Sequence, residues 1–314
     1  MRVIRGLEAF PPGSGPVCLA LGTFDGLHRG HQAVVRAVRA GATAIGGQAV
    51  VVTLDPHPLV IVSPPKEPYL LSTIDERIHL FERTGIDALV VVRFDEAIRQ
   101  LPAIRWLDAL VQHLRPRHIV ASSTHAFGRD REGTPAYLQA WAAEREIQVT
   151  IVPPVRNGGV AISSSAVRER LRAGDVRTAA DWLGRWYAIS GEVVAGEGRG
   201  RDLGAPTANL RVVPEKIVPQ RGVYAAYATV EAQTHKAAVN IGIRPTFGGG
   251  DALVEAHLID TTAAIRSKIL EIAFVQRLRD EMRFPNADTL RDQIALDVDR
   301  ARRLLDLESG YARN

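Results

Sequence analysis

The residues best suited to chemistry in this chain are two histidines, His28 and His31, in a glycine-rich turn. The turn spans residues 22–31, follows an apolar run at 17–21 and leads into a helical pattern. Backbone N–H groups at a helix start have no partner within the helix, so they can bind an anion. Two imidazoles without a nearby cysteine favour phosphate over zinc, which takes three or four protein ligands. A core-facing turn with two exposed histidines is the alternative interpretation.

A second group of polar residues consists of three consecutive serines, Ser163, Ser164 and Ser165, followed by Arg168. Their hydroxyls can cap a helix and still donate to an anion, and Arg168 lies one turn further on. Helix capping alone is the alternative. Following the histidine turn, the segment is interpreted as a clamp for the pyrophosphate that leaves a nucleoside triphosphate. The histidines would donate to the α-phosphate during in-line attack.

The second half of the chain has its own candidate phosphate loop at residues 196–209. Glycines allow close backbone approach to phosphates, and those assigned to the nucleotide are Gly198, Gly200 and Gly204. The loop ends in Thr207 and Asn209, whose neutral oxygens suit Mg²⁺. It is not a Walker loop, because the Gly-Lys-Ser/Thr ending is absent.

One carboxylate, Glu255, stands inside an apolar run between Val254 and Ala256. A carboxylate in such a strand can act as general base on a substrate hydroxyl. The alternative is a side chain on the solvent face, since carboxylates are rarely buried without a partner.

Two kinds of domain are predicted to position these residues. Up to about residue 185, apolar runs alternate with helical patterns, which predicts an α/β fold with a doubly wound parallel sheet. Ligands of such sheets bind at the carboxyl ends of strands, where residues 22–31, 55–58 and 122–133 fall. A helix at 73–84 would have Ser72 as its N-cap.

Beyond Trp186 the pattern changes to repeated β-type runs between turns rich in glycine and proline, which predicts a small antiparallel β-barrel. A terminal helix at 287–307 should pack on this barrel through five apolar residues: Leu290, Ile294, Leu296, Val298 and Leu304. The predicted domains are therefore 1–185 and 186–314.

Composition limits the classes of protein that this chain can be. It has 314 residues and a net charge of +4, with arginines interleaved with acidic residues, which argues against a nucleic-acid partner. We expect no membrane association, because there is neither a signal core nor an apolar run of about 18 residues. A single cysteine, Cys18, allows no disulfide within the chain, which is compatible with a cytoplasmic location.

Taken in order, the motifs resemble the bacterial bifunctional riboflavin kinase/FAD synthetases along nearly the whole chain. The matching blocks are GTFDGLHRGH at 22–31, DPHP at 55–58, SSSAVR at 163–168, LGAPTAN at 203–209, GVY at 222–224, NIGIRPT at 240–246, VE at 254–255 and the R-x-E-x-x-F pattern at 279–284. The histidine motif is shared by many nucleotidyltransferases. The PTAN and NIGxRPT blocks are narrower and indicate the kinase module.

The resemblance implies an N-terminal FMN adenylyltransferase and a C-terminal riboflavin kinase barrel, with ATP, Mg²⁺ and flavins (riboflavin, FMN, FAD) as ligands. Thr207 and Asn209 would hold Mg-ATP, and Glu255 would deprotonate the ribityl hydroxyl. Besides the glycines, serines and Arg168 already named, the implied nucleotide residues are Gly22, Phe24, Asp25 and Gly30. The implied flavin residues are Asp55, His57, Phe127, Asn240 and Arg244. Partners would be small molecules, and self-association stays open.

Three segments depart from the family pattern. SSTHAFG at 122–128 replaces a Gly-x-Asp/Asn-aromatic-x-Phe-Gly block, residues 264–267 replace an Asp-Leu-Tyr-Gly block, and Ala205 replaces an aromatic or branched residue. The first two would touch flavin. Three hypotheses follow: both activities; a paralogue with a changed flavin acceptor or one silent domain; or a flavin- or nucleotide-binding regulator without turnover.

Overall fold

The computed structural model describes residues 1–195, 207–243, 252–261 and 267–308. The chain divides into two compact units, Met1–Ser164 and Ser165–Asn314. Residues 165–185, which we expected to close the first domain, are part of the second compact unit.

The first unit is built on a six-stranded sheet in which every neighbouring pair is parallel, with the order β1-β4-β3-β2-β5-β6. Its strands are β1 (Arg2–Arg5), β2 (Val17–Leu21), β3 (Gln48–Asp55), β4 (Ala88–Arg93), β5 (Pro116–Ser122) and β6 (Gln148–Val152). Its helices are α1 (Arg29–Ala44), α2 (Leu59–Val62), α3 (Ile74–Glu82), α4 (Glu96–Arg99), α5 (Ala103–Leu114) and α6 (Pro135–Ala143). A two-stranded hairpin, β7 (Arg156–Asn157) and β8 (Val160–Ala161), follows. The predicted α/β sheet is confirmed.

Apolar cores cover both faces of this sheet. One core includes Val35 and Val38 of α1, and the other includes Leu107 and Leu110 of α5. All five residues of β2 are buried, as expected for a central strand covered on both faces. Strand β2 lies between β3 and β5, so the order of strands reverses at the β2–β5 pair. Ligands of open α/β sheets bind at such a switch point.

The second unit is a closed barrel of six antiparallel strands in the order β10-β13-β12-β11-β14-β9, and β9 pairs with β10 to close it. The strands are β9 (Tyr187–Val194), β10 (Ala208–Val212), β11 (Gly222–Val230), β12 (Gln233–Ile243), β13 (Ala252–Leu258) and β14 (Ile269–Arg279). The unit also contains the helices α8 (Val176–Leu183) and α9 (Ala287–Leu307), and all of α7 (Ser164–Arg172) except its first residue. The predicted barrel and terminal helix are confirmed.

Helix α9 packs on the barrel, and the predicted residues Val298 and Leu304 pack against its buried cluster. Ala301 and Leu305 are buried in a cluster with Val223 of β11, whereas Leu296 is 63% exposed. The expectation for Leu296 was wrong, because the buried position in that turn is occupied by Asp297, which pairs with Arg279. Among the helices of the described ranges, none is long and apolar enough to cross a membrane.

Candidate active sites

The histidine turn and the start of α1 bring His28 and His31 together. His28 is the N-cap residue of α1, and its Nδ1 accepts a hydrogen bond from the backbone N–H of His31 at 3.3 Å. The two rings are stacked, with centroids 3.7 Å apart and planes inclined by 19°. Because Nδ1 accepts, this hydrogen bond assigns the proton of a neutral His28 ring to Nε2. The predicted helix start is confirmed, and donation to an anion stays a prediction.

Small and strained residues shape this turn. A Cβ added to Gly30 would lie 3.0 Å from two atoms of the His28 ring, so a side chain at position 30 would require the ring to shift. Gly22 continues from β2 and donates its N–H to Val52. Phe24 is buried in the left-handed region at φ 50°, and its ring meets the edge of the His31 ring at 5.2 Å. Strained backbone of this kind clusters at functional sites.

The carboxylate of Asp25 is buried and saturated by donors from the segment before α3. It accepts from the N–H groups of Leu71 and Ser72 and from the Ser72 hydroxyl, at 2.8–3.1 Å. The Ser72 hydroxyl also accepts from the N–H of Gly26 at 2.9 Å. Asp25 thus fixes the histidine turn to a neighbouring segment. We therefore expect Asp25 to influence nucleotide binding indirectly, by holding the conformation of the turn.

These contacts correct one expectation. The N-cap of α3 is Thr73, which forms a capping box with Glu76, and not Ser72. Two neighbouring residues carried the same capping signal, and the hydroxyl of Ser72 contacts the histidine turn instead.

A buried arginine that the sequence did not reveal supports the same turn from α3. Arg77 is 1% exposed, and its Nη1 donates to the Thr53 hydroxyl and to the carbonyl of Leu54, both at 3.1 Å. The Thr53 hydroxyl in turn donates to the carbonyl of Thr23 at 3.0 Å. Burial lowers the pKa of Arg77, and the neighbouring Asp25 and Asp55 act against this shift. A signal existed: Arg77 lies four residues before Phe81, on the buried face of the helix.

Of the serine segment, Ser163 and Ser164 belong to the first unit, and Ser165 and Arg168 belong to the second. Ser164 begins α7, and its hydroxyl donates to the carbonyl of Asp25 at 2.9 Å, so it contacts the histidine turn. Arg168 is buried on α7. The role of these four residues as a pyrophosphate clamp stays a prediction.

The predicted flavin residues of the first unit follow β3 and β5 at the carboxyl edge of the sheet. Asp55 ends β3, and the Nδ1 of buried His57 accepts from the N–H of Leu59 at 3.2 Å. Phe127 is buried in the apolar core, and its backbone exchanges hydrogen bonds with Gly133 to close the loop after β5. These residues lie at the same carboxyl edge of the sheet as the histidine turn, which follows β2. Their contact with flavin stays a prediction.

The unusual residue His125 lies in this loop. Its ring is stacked on Phe127 with centroids 5.6 Å apart, and its Nε2 is buried without a hydrogen-bond partner among the described residues. Burial, followed by the charge of Arg131, lowers the pKa of His125 to about 4. His125 is therefore neutral at physiological pH and presents an aromatic, uncharged surface where the family has an aromatic residue.

In the second unit, three polar residues are in register on adjacent strands. Glu255 on β13 lies opposite Asn209 on β10 and, on its other side, opposite Asn240 on β12. Residues in register share a face of the sheet. The flanking residues Val254 and Ala256 are fully buried, so the three polar side chains project from the opposite face.

That opposite face is the outside of the barrel. Val223, which is in register with Asn240, packs in the cluster that α9 covers. Asn209 is only 6% exposed, yet neither its side chain nor that of Glu255 forms a hydrogen bond with another described residue. Thr207 is exposed just before β10. Together, Thr207 and Asn209 offer the oxygen ligands that Mg²⁺ accepts beside waters and phosphates.

Gly198, Gly200, Gly204 and Arg244 lie outside the described residues, as do Ala205 and Arg266. Among the described residues, no cluster of three or more His, Cys, Asp or Glu side chains could hold a metal ion.

Comparisons with known proteins match both units. Residues 12–166 match the FAD synthetase family and residues 183–305 match the riboflavin kinase family. The chain is 33% identical to the bifunctional riboflavin kinase/FMN adenylyltransferase of Pseudomonas fluorescens, over 97% of this chain and 98% of the relative. It is also 33% identical to the enzyme of the same name from Escherichia coli K12, over 98% and 99% of the two chains.

A solved structure is similar over the same length. The crystal structure titled macrolide-efflux protein from Streptococcus pneumoniae superposes with a TM-score of 0.88 at 28% identity. The similarity covers 96% of this chain and 99% of that one.

Proposed function

Because this chain belongs to the family of bifunctional riboflavin kinase/FMN adenylyltransferases, we propose that it phosphorylates riboflavin to FMN and then adenylylates FMN to FAD. The observation that carries the kinase activity is the register of Asn209, Glu255 and Asn240 across three strands. The adenylyltransferase rests on the stacked pair His28 and His31 at the start of α1. The domains would be 1–185 and 186–314.

In the kinase, Glu255 accepts the proton of the terminal ribityl hydroxyl of riboflavin. The oxygen then attacks the γ-phosphorus of ATP, and ADP leaves. Thr207 and Asn209 would hold Mg²⁺, which neutralises charge on the triphosphate when bound. Asn240 lies on the other side of Glu255. Its side-chain amide forms no hydrogen bond with another described residue and can donate to the flavin.

In the adenylyltransferase, a phosphate oxygen of FMN attacks the α-phosphorus of ATP, and pyrophosphate leaves. The Nε2–H of His28 and the ring of His31 donate to the α-phosphate oxygens as negative charge grows. Backbone N–H groups at the start of α1 add to this stabilisation. Asp25, Ser72, Arg77 and Thr53 act by holding the turn in shape.

The substrates are small molecules. We propose a cytoplasmic enzyme, since the single cysteine is buried and carries no catalytic task. Burial raises the pKa of the Cys18 thiol to about 12, which keeps it unreactive.

The test is to incubate the purified full chain with Mg-ATP and riboflavin, and separately with FMN, and to separate the products by chromatography. FMN and FAD are both expected. A changed acceptor or a silent domain is the second candidate, because His125 departs from the family in the flavin loop. Conversion of FMN alone, or of riboflavin alone, would establish that candidate, and flavin binding without any product would indicate a regulator.

A further inference from the structure

A second carboxylate approaches the Asn240 side of the kinase residues. Gly242 follows Asn240 by two positions on β12, so both face the same side of the strand. A Cβ added to Gly242 would lie 2.9 Å from Oε1 of Glu281 and 3.8 Å from Nδ2 of Asn240. The Glu281 carboxylate therefore occupies the space that a side chain at position 242 would fill, next to Asn240.

The segment that carries Glu281 is fixed by its neighbours. The Arg279 guanidinium donates to both oxygens of the Asp297 carboxylate at 2.6–3.0 Å and to the carbonyl of Asp280 at 2.8 Å. Asp280 also pairs with Arg277 at 2.7 Å. These contacts hold the two residues before Glu281, while the Glu281 carboxylate itself forms no hydrogen bond or ion pair with another described residue.

From this geometry we propose that Glu281 binds the polyhydroxyl chain of the kinase's acceptor substrate and so determines acceptor affinity. The inference rests on the proposed kinase function. Glu255 separates two sides of the site: Asn209 and Thr207, assigned to Mg-ATP, are on the β10 side, and Asn240 with Glu281 is on the β12 side. The hydroxyl that Glu255 deprotonates must belong to the other substrate. An ionised carboxylate accepts strong, short hydrogen bonds from hydroxyl groups.

The test compares Glu281→Ala, Glu281→Gln and Gly242→Ala in the full chain. Glu281→Ala should raise the KM for riboflavin on the order of tenfold, the loss expected for a hydrogen bond to a charged group, with kcat and the KM for ATP within about twofold. Glu281→Gln keeps an acceptor oxygen and should lose less. Gly242→Ala should resemble Glu281→Ala, because the new methyl displaces only the end of a flexible side chain. The double variant Gly242→Ala with Glu281→Ala should have a riboflavin KM no higher than that of Glu281→Ala alone.

Controls separate this inference from the proposed function. Glu271→Ala, which removes an exposed carboxylate near the start of β14, should leave riboflavin KM unchanged, and FMN adenylylation should be unaffected in every variant. Quenching of flavin fluorescence gives the riboflavin dissociation constant without turnover. An inactive wild type would refute the proposed kinase, whereas an active wild type with unchanged riboflavin affinity in Glu281→Ala would overturn the role of Glu281. An effect confined to ATP or to Mg²⁺ dependence would also overturn it.

Discussion

The backbone N–H of His31 donates to Nδ1 of His28, and the two imidazole rings stack with centroids 3.7 Å apart. One contact fixes both the orientation and the tautomer of His28, because a ring nitrogen that accepts cannot carry the proton. The same contact caps α1, and helix N-termini attract anions. The three-residue spacing of His28 and His31 thus both caps the helix and positions the two rings for the proposed chemistry.

Replacing both histidines with alanine should reduce FMN adenylylation and leave riboflavin phosphorylation near wild type. Loss of one transition-state donor costs on the order of 10²–10³ in rate. Steady-state rates of both reactions, measured on the same preparation, test this expectation. His79→Ala removes an exposed histidine of α3 and should change neither rate. Equal loss of both activities in a folded double variant would contradict the assignment.

The register of Asn209 with Glu255 predicts two different kinetic defects. Glu255→Gln should lower kcat for riboflavin phosphorylation by on the order of 10²–10⁴, with little change in ATP affinity, because the charge acts in proton transfer. Asn209→Ala should instead raise the KM for Mg-ATP by about tenfold, as for a lost contact to a charged ligand.

Kinetics at varied Mg-ATP and riboflavin concentrations distinguish the two defects. Glu192→Gln, on the exposed surface of β9, is a matched control. Unchanged turnover in Glu255→Gln would rule out its role as base.

The sequence predicted the parts of the fold that a repeated apolar pattern determines. The run at 17–21 is entirely apolar and forms the fully buried β2, and the predicted bounds of the terminal helix, 287–307, agree with those of α9. Strand β1 was missed because its side chains are mostly exposed and give no such pattern. Strand β10 was missed because its sequence is continuous with the glycine-rich loop.

The candidate sites were predictable where a motif carried them, and less so where tertiary contacts do. The pairing of Asn209, Glu255 and Asn240 depends on which strands are neighbours in the barrel, which no local pattern states. Arg77 was missed because a charged residue on a helix is normally assigned to solvent. Its burial is compensated by Thr53 and a backbone carbonyl from β3, far along the chain.

We expect ordinary ATP affinity but weak flavin affinity. Thr124 and His125 stand near positions where the family has an acid or amide and an aromatic residue. The imidazole is a smaller ring and is already stacked on Phe127, and weakening a ring-stacking contact to flavin by about 0.5–1.5 kcal/mol lowers the affinity several-fold. Titration calorimetry with ATP, riboflavin and FMN measures this directly, and His125→Phe should strengthen FMN binding. Tight binding of both flavins by the wild type would show that the substitutions are neutral.

His125 should make the stability of the first unit depend on pH. Its pKa of about 4 in the folded chain lies below the ordinary 6.5. Between these values the unfolded chain binds a proton that the folded chain does not, so stability falls as the pH drops from 6.5 towards 4 and is unaffected above 6.5. At pH 5 the loss is on the order of 1–2 kcal/mol.

Denaturant midpoints at pH 5 and pH 7.5 test this expectation on the wild type and His125→Phe. The phenylalanine variant should lose less stability at pH 5. His118, whose pKa burial also lowers, is present in both proteins and cancels in the comparison. Parallel losses in the two proteins would contradict a contribution from His125.

The ion pair between Arg279 and Asp297 joins β14 to α9, and it predicts a stability defect coupled to acceptor binding. The pair is largely buried, with side chains 18% and 9% exposed. Asp297→Ala leaves the guanidinium without a counterion, which costs about 3 kcal/mol, and the thermal transition of the second unit should fall by roughly 6–12 °C. Because the pair also fixes the segment before Glu281, the KM for riboflavin should rise even at temperatures well below the thermal transition.

The double variant Arg279→Met with Asp297→Ala removes the unpaired charge. It should recover part of the transition temperature but not the riboflavin affinity. Scanning calorimetry and kinase assays measure the two effects, and a variant that loses stability while keeping riboflavin KM would separate the ion pair from the position of Glu281.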